Sequence, residues 1–312
     1  MKQMHRFEQN KGRRQGIEMK QEDNGWVAIN GDEYLGETPL WSASEQVLYW
    51  VSCEDPPLLC RWKPGQTELE SWPMPDRIGG LALRPDGTVV VCVGPALYNF
   101  NPKTSALSLL AKSPLGPHIK LHETCVDPTG RLWVGSYDER ISVDNLKPCG
   151  GALFRLDGDQ LIAMIPDLTV TNGLAFHPDG KVMYFTGGIG STIWAVDIDP
   201  SSGGIMGMRE FIAMAEGEIC DGATVDAEGG YWLAMVSHGE IRRYLPDGTF
   251  DRAVKTICSQ PTKPAFGGAD LRTMFVTSTK MKFPHLDQYG PNGAVCALNP
   301  GVPGATEPFF TS

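Results

Sequence analysis

Short alternating apolar segments separated by tight turns recur along the chain. Gly79–Gly94 reads GGLALRPDGTVVVCVG and Asn172–Gly188 reads NGLAFHPDGKVMYFTGG. Glu123–Tyr137 (ETCVDPTGRLWVGSY) and Asp221–Met235 (DGATVDAEGGYWLAM) follow the same plan: a strand, a turn ending in Gly, and a second strand rich in Val, Trp, Tyr or Phe. The Asp-Gly or Thr-Gly step supplies the positive φ that a tight hairpin needs. Weaker copies lie at Gly36–Cys53 and Ala265–Thr279, where polar residues make the turn. Six copies spaced roughly 40–50 residues apart match the period of four-stranded propeller blades.

Between the copies lie second hairpins, such as ALYNFNPKTSALSLLAK (Ala96–Lys112) and EIRRYLPDGTFDRAV (Glu240–Val254). No stretch of 12 or more residues free of Gly or Pro keeps apolar residues at i, i+3, i+4 and i+7, so helix content is expected to be very low. The pattern predicts an all-β fold: a six-bladed β-propeller of four-stranded antiparallel blades, residues 26–312, as one domain. Closure requires the N- and C-terminal strands to share a blade. Trp26–Asn30 and Glu307–Thr311 are the expected pair. Residues 1–25 are polar, lack an apolar core and read as a floppy tail or a basic docking arm.

Composition narrows the class. The 36 Gly and 24 Pro are dispersed as turn punctuation, which lets 312 residues form one β domain instead of two. The net charge of -10, with no internal basic block, argues against a nucleic-acid partner. No segment is apolar enough to suggest a membrane span, and no secretory signal is visible. The eight cysteines are scattered without CxxC pairs, as expected of reduced residues in a cytoplasmic protein, a monomer or small homo-oligomer.

In a propeller, the loops leading into the innermost strands converge on one mouth of the central channel. The residues expected there are Glu37, Gly79/Gly80, His122/Glu123, Asn172, Asp221 and Gly267/Gly268. Glu, Asn and Asp brought together by pseudo-symmetry offer oxygen donors for a divalent cation.

LGETPLW (Leu35–Trp41), TNGLAFHPDGK (Thr171–Lys181) and DGATVDAEG (Asp221–Gly229) resemble the SMP-30/gluconolactonase/luciferin-regenerating family, and ETCVDPTGRLWVGS and AFGGADLRTMFVTS match it in register. The resemblance covers nearly all of the chain after residue 25. It implies a six-bladed propeller and a metal-dependent lactonase acting on a small-molecule lactone, chiefly of sugar acids. It places metal ligands at Glu37, Asn172 and Asp221, for one divalent ion (Ca, Zn, Mn, Fe or Mg). Asp221 is also placed as general base, with a separate base left open because one carboxylate in both roles is chemically strained.

The sequence departs from the family where sugar lactonases carry a substrate-binding Arg and Asn. Here these are Lys120 and His122. Lys offers a point charge in place of a bidentate fork. His122 could be a fourth ligand, tilting the site towards zinc, iron or manganese, or else a base or a substrate contact. The family's substrate-contacting Glu maps onto Glu139 by similarity and Arg140 by direct count. Two alternatives stay open: the same metal propeller acting on a non-sugar lactone or ester, or through a rearrangement, and a non-catalytic binding scaffold. No GxSxG elbow or phosphate loop competes with these readings.

Overall fold

A computed structural model describes residues 25–141, 150–188, 190, 192–283 and 285–311. The expected tail, residues 1–25, lies outside these except for Gly25. Among the described residues there are six four-stranded antiparallel sheets, arranged as a six-bladed propeller. Their innermost strands are β2 (Gly36–Ser42), β6 (Ile78–Leu83), β10 (Ile119–Val126), β14 (Asn172–Phe176), β18 (Cys220–Val225) and β22 (Pro261–Gly267). The hairpins turn where the sequence predicts: Gly87, Gly180 and Gly248, closing the three PDG turns, take φ of 80°, 72° and 87°. Among the described residues no helix is long and apolar enough to cross a membrane.

Neighbouring blades pack face to face. Trp133, Leu153, Leu174 and Phe176 form one apolar seam, with the Trp133 and Phe176 rings 5.7 Å apart. Each such large side chain contributes about 1.5–3 kcal/mol through burial. Seven described cysteines are free thiols, six of them buried.

The ring closes as one four-stranded sheet in the order β1 (Trp26–Ile29), β24 (Val295–Leu298), β23 (Thr273–Ser278), β22. The N-terminal strand thus pairs with Val295–Leu298, with Trp26 opposite Ala297, and not with Glu307–Thr311. That tail forms no strand, and Pro308 within it has no N–H to give a ladder. Instead Phe310 N–H donates to Leu83 O at 2.9 Å and Thr311 N–H to Gly130 O at 3.1 Å, which lays the tail across the turn end of the channel.

A second correction concerns the last blade. Gly267 ends β22 and Gly268, at φ 84°, belongs to the following hairpin turn, so this glycine pair lies at the end opposite the mouth. Thr262 and Lys263 occupy the mouth position instead. The glycine pair at Gly79/Gly80 looks alike in sequence but serves a different purpose. A Cβ on Gly79 would stand 2.3 Å from Leu121 O, so the missing side chain lets β6 lie close to β10.

All six inner strands break register with their neighbours at the mouth end. The shifts fall between Glu37 and Leu40, Ile78 and Gly80, Leu121 and Thr124, Asn172 and Ala175, Cys220 and Ala223, and Pro261 and Pro264. A bulge breaks the strict in–out alternation and re-aims side chains. Repeated around the ring, it gathers residues that a regular strand would separate.

Candidate active site

Glu37 is the second residue of β2 and only 3% exposed; its Oε2 accepts the Thr38 N–H at 3.0 Å. Thr38 takes a left-handed φ of 42°, an unfavourable conformation for a β-branched residue, at the point where the bulge sets the Glu37 carboxyl. Across the mouth stands Asp221, the second residue of β18. Burial pushes the Glu37 carboxyl up to about 7, against the pull of Lys263 and helped by the charge of Glu123. Burial, and then the charges of Glu37 and Glu123, push Asp221 well above the ordinary carboxylate range. Among the described residues no hydrogen-bond donor meets the Asp221 carboxylate.

Asn172 opens β14, and its Oδ1 lies 3.1 Å from His122 Nε2. Burial, then the charge of Arg77, pushes the imidazole down to about 3, so His122 is neutral at pH 7. With Nε2 donating to Asn172, Nδ1 is left as a buried lone pair without a hydrogen-bond partner among the described residues.

Two charged side chains at the mouth were not anticipated. Lys263, 4% exposed, donates to Glu123 Oε1, while Glu123 Oε2 accepts the Leu174 N–H at 2.9 Å. This ties β10, β14 and β22 together across the channel. Gly222 makes room for the lysine stem: a Cβ there would meet Lys263 Cγ at 2.5 Å. Arg77 precedes β6, its guanidinium lying over the Tyr137 ring at 4.6 Å. Lys263 is reached by counting only once the turn residues are known from the structure. The count from the positive-φ turn residue Gln46 back to Glu37, repeated from Leu271, reaches Thr262 and so its neighbour Lys263. The visible glycine pair misled the alignment. Arg77 was hidden because the mouth position of its blade is glycine.

The remaining expected residues divide. Lys120 Nζ lies 3.5 Å from both Asp76 and Glu139, and Glu139 Oε1 lies 2.9 Å from His118 Nδ1. Glu139 therefore joins Lys120 at the rim. Arg140 instead forks onto Asp138 at 2.5–3.2 Å, away from that cluster.

Residues 35–280 match the family model described as SMP-30/Gluconolactonase/LRE-like region. The chain belongs to this family. It is 33% identical over 282 residues to 6-deoxy-6-sulfogluconolactonase of Pseudomonas putida, covering 88% of this chain and 94% of that protein. Identity to L-arabinolactonase of Azospirillum brasilense is 29%, over 79% of this chain and 81% of that one. The fold is shared with the calcium-binding protein regucalcin of Agrobacterium tumefaciens, at TM-score 0.82, 24% identity, and coverage of 92% and 97%.

The mouth of this family member suits a hard divalent cation. The charge of the buried Glu37 opposes ionisation of the half-buried Asp221, and Asn172 adds a neutral oxygen. A dication among them would offset the cost that burial and repulsion impose, and an all-oxygen donor set favours calcium, magnesium or manganese. The buried Nδ1 of His122 adds a nitrogen lone pair that has no hydrogen-bond partner among the described residues.

Proposed function

We propose that this protein hydrolyses lactones, sugar-acid lactones foremost, at a mouth where Glu37, Asn172 and Asp221 hold one divalent cation. The broader statement, that the chain is a lactonase, follows from family membership together with relatives named for lactonases. The observation that carries the finer reading is that Glu37, buried, and Asp221, half-buried, open the inner strands β2 and β18 at one mouth, where the charge of Glu37 reaches Asp221 and both carboxyls are pushed up.

When bound, a divalent ion polarises a carbonyl and lowers the pKa of water. The chain's own groups supply the rest. Asp221, whose carboxyl no protein donor claims, accepts the proton of the attacking water. The water oxygen bonds to the carbonyl carbon, the ring C–O bond breaks, and the ring oxygen takes the proton back from Asp221 and leaves as a hydroxyl. The product is a hydroxycarboxylate plus a proton. His122, held neutral by burial, is too weak a base for this step and serves as a hydrogen-bonding contact. Lys120 and Glu139 form the rim against which substrate hydroxyls dock.

The test is acid release from a panel: glucono-, arabinono- and 6-deoxy-6-sulfogluconolactone, γ-butyrolactone, and an aryl ester. Release above the spontaneous rate on the sugar lactones is expected. Turnover of only the last two would move the substrate class to non-sugar lactones or esters. Turnover of none would favour a binding scaffold.

A further inference from the structure

Arg77 stands at the mouth with a geometry that the steps above do not use. Its guanidinium lies over the Tyr137 ring at 4.6 Å, and the same ring meets the His122 imidazole edgewise at 5.5 Å. Tyr137 thus holds the arginine plane beside the residue that touches Asn172. The positive charge reaches Glu37, Asp221 and His122. Among the described residues no acceptor meets Nη1, although that nitrogen is buried. A buried guanidinium nitrogen without an acceptor is destabilising, because it has lost water and gained no partner.

Its backbone is fixed as firmly as its ring stack. Arg77 N–H donates to Asp76 Oδ1 at 2.7 Å, and Arg77 O accepts the Gly94 N–H at 2.8 Å. After Ile78, Gly79 and Gly80 bring no side chain to the mouth, so the charge this blade directs at Glu37 and Asp221 is that of Arg77. The donor is rigid, charged and waiting for an anion.

Arg84, at the other end of β6, provides an internal control. It too lies over an aromatic ring, that of Phe310, at 4.5 Å, but at the turn end of the channel.

We propose that Arg77 binds the negative charge that lactone opening creates, first on the carbonyl oxygen and then as the product carboxylate. The proposal rests on the lactonase reading and deepens it by assigning the carboxylate a protein partner. Arginine suits this task because its planar fork presents parallel N–H donors to a carboxylate.

The experiment measures gluconate binding to the metal-loaded protein by calorimetry, with glucitol as the uncharged counterpart, alongside gluconolactone turnover. Wild type should prefer gluconate over glucitol. Arg77→Met should lose at least tenfold in gluconate affinity with glucitol binding unchanged, and should lower kcat more than it raises KM. Arg77→Gln keeps a donor without the charge and should show the same loss of preference, which covers the case in which the methionine variant fails to fold. Arg84→Met should bind gluconate as wild type does. Wild-type gluconate affinity in either folded Arg77 variant would overturn the proposal while leaving the lactonase reading standing. Absence of lactone turnover in wild type would instead overturn that reading first.

Discussion

Strand β18 carries a carboxylate at each end, and the two ends treat it in opposite ways. Beyond the turn end of β18, Asp226 is fully buried and fully partnered. Its Oδ1 accepts the N–H of Glu228 at 2.9 Å and of Gly230 at 2.8 Å, and its Oδ2 accepts Trp232 Nε1 and Arg243 Nε, both at 2.7 Å. Asp127 repeats the plan after β10, accepting from Thr129, Arg131 and the Trp133 indole. Five residues before Asp226 in the chain, Asp221 has no such donors, and burial drives its pKa up. Both ends bury an acid. One end satisfies it and gains a fixed turn, while the other leaves it needing a cation or a proton. Residue type alone does not separate structural from functional carboxylates; the donors around them do.

Substitutions at the two ends should therefore fail differently. Asp221→Asn should reduce lactone turnover by roughly 10²–10⁴-fold, the range for loss of a positioned base, without lowering the melting temperature of the metal-free protein. Asp226→Ala should do the reverse. It leaves the buried Trp232 indole and Gly230 N–H without an acceptor and removes one of the three carboxylates on Arg243, and should cost about 1–3 kcal/mol for each stranded donor in denaturant unfolding, with kcat retained in the folded fraction. Asp127→Asn, whose indole and guanidinium contacts are both longer at 3.3 Å, should cost about 1–2 kcal/mol. If Asp221→Asn destabilised the metal-free protein as much as Asp226→Ala, the contrast between the ends would collapse.

Glu37 sharpens the same point through pH. Its pKa in the folded, metal-free chain is about 7, above the ordinary 4.5. Below the lower value it is protonated folded or unfolded and costs nothing. As pH rises towards 7, the unfolded state ionises more readily, so the folded state loses stability. Glu37→Gln should therefore raise the melting temperature of metal-free protein at pH 8 and leave it unchanged at pH 4. A stabilisation equal at both values would mean that the carboxyl is not held back by burial. The smallest effect belongs to the rim: Glu139→Gln should raise KM several-fold, while Arg140→Ala, which releases Asp138, should leave KM within twofold.

The fold was readable because hairpin chemistry is local. Each Asp-Gly or Thr-Gly step declares its own turn, and repetition does the rest. The closing pair was half readable: Trp26–Ile29 alternates like a strand, but nothing local says that its partner is Val295–Leu298 and not the equally apolar tail at Phe309 and Phe310. Glu37, Asn172 and Asp221 were legible because pseudo-symmetry puts them at equivalent starts of strands. Lys263 and Arg77 were not, since each depends on glycines at neighbouring positions that only packing explains: Gly222 beside the lysine stem, Gly79 and Gly80 after the arginine. The pairing of Glu123 with Lys263 is likewise a contact across the channel between residues far apart in the chain.

The most direct measurement takes purified wild-type protein and reads divalent-ion content and acid release from gluconolactone together, before chelation, after it, and after the ion is restored. The account predicts close to one ion per chain, loss of turnover when the ion is removed and return when it is replaced, with Asp221→Asn retaining neither tight binding nor turnover. Lactone turnover that persists at full rate in metal-free protein would contradict it.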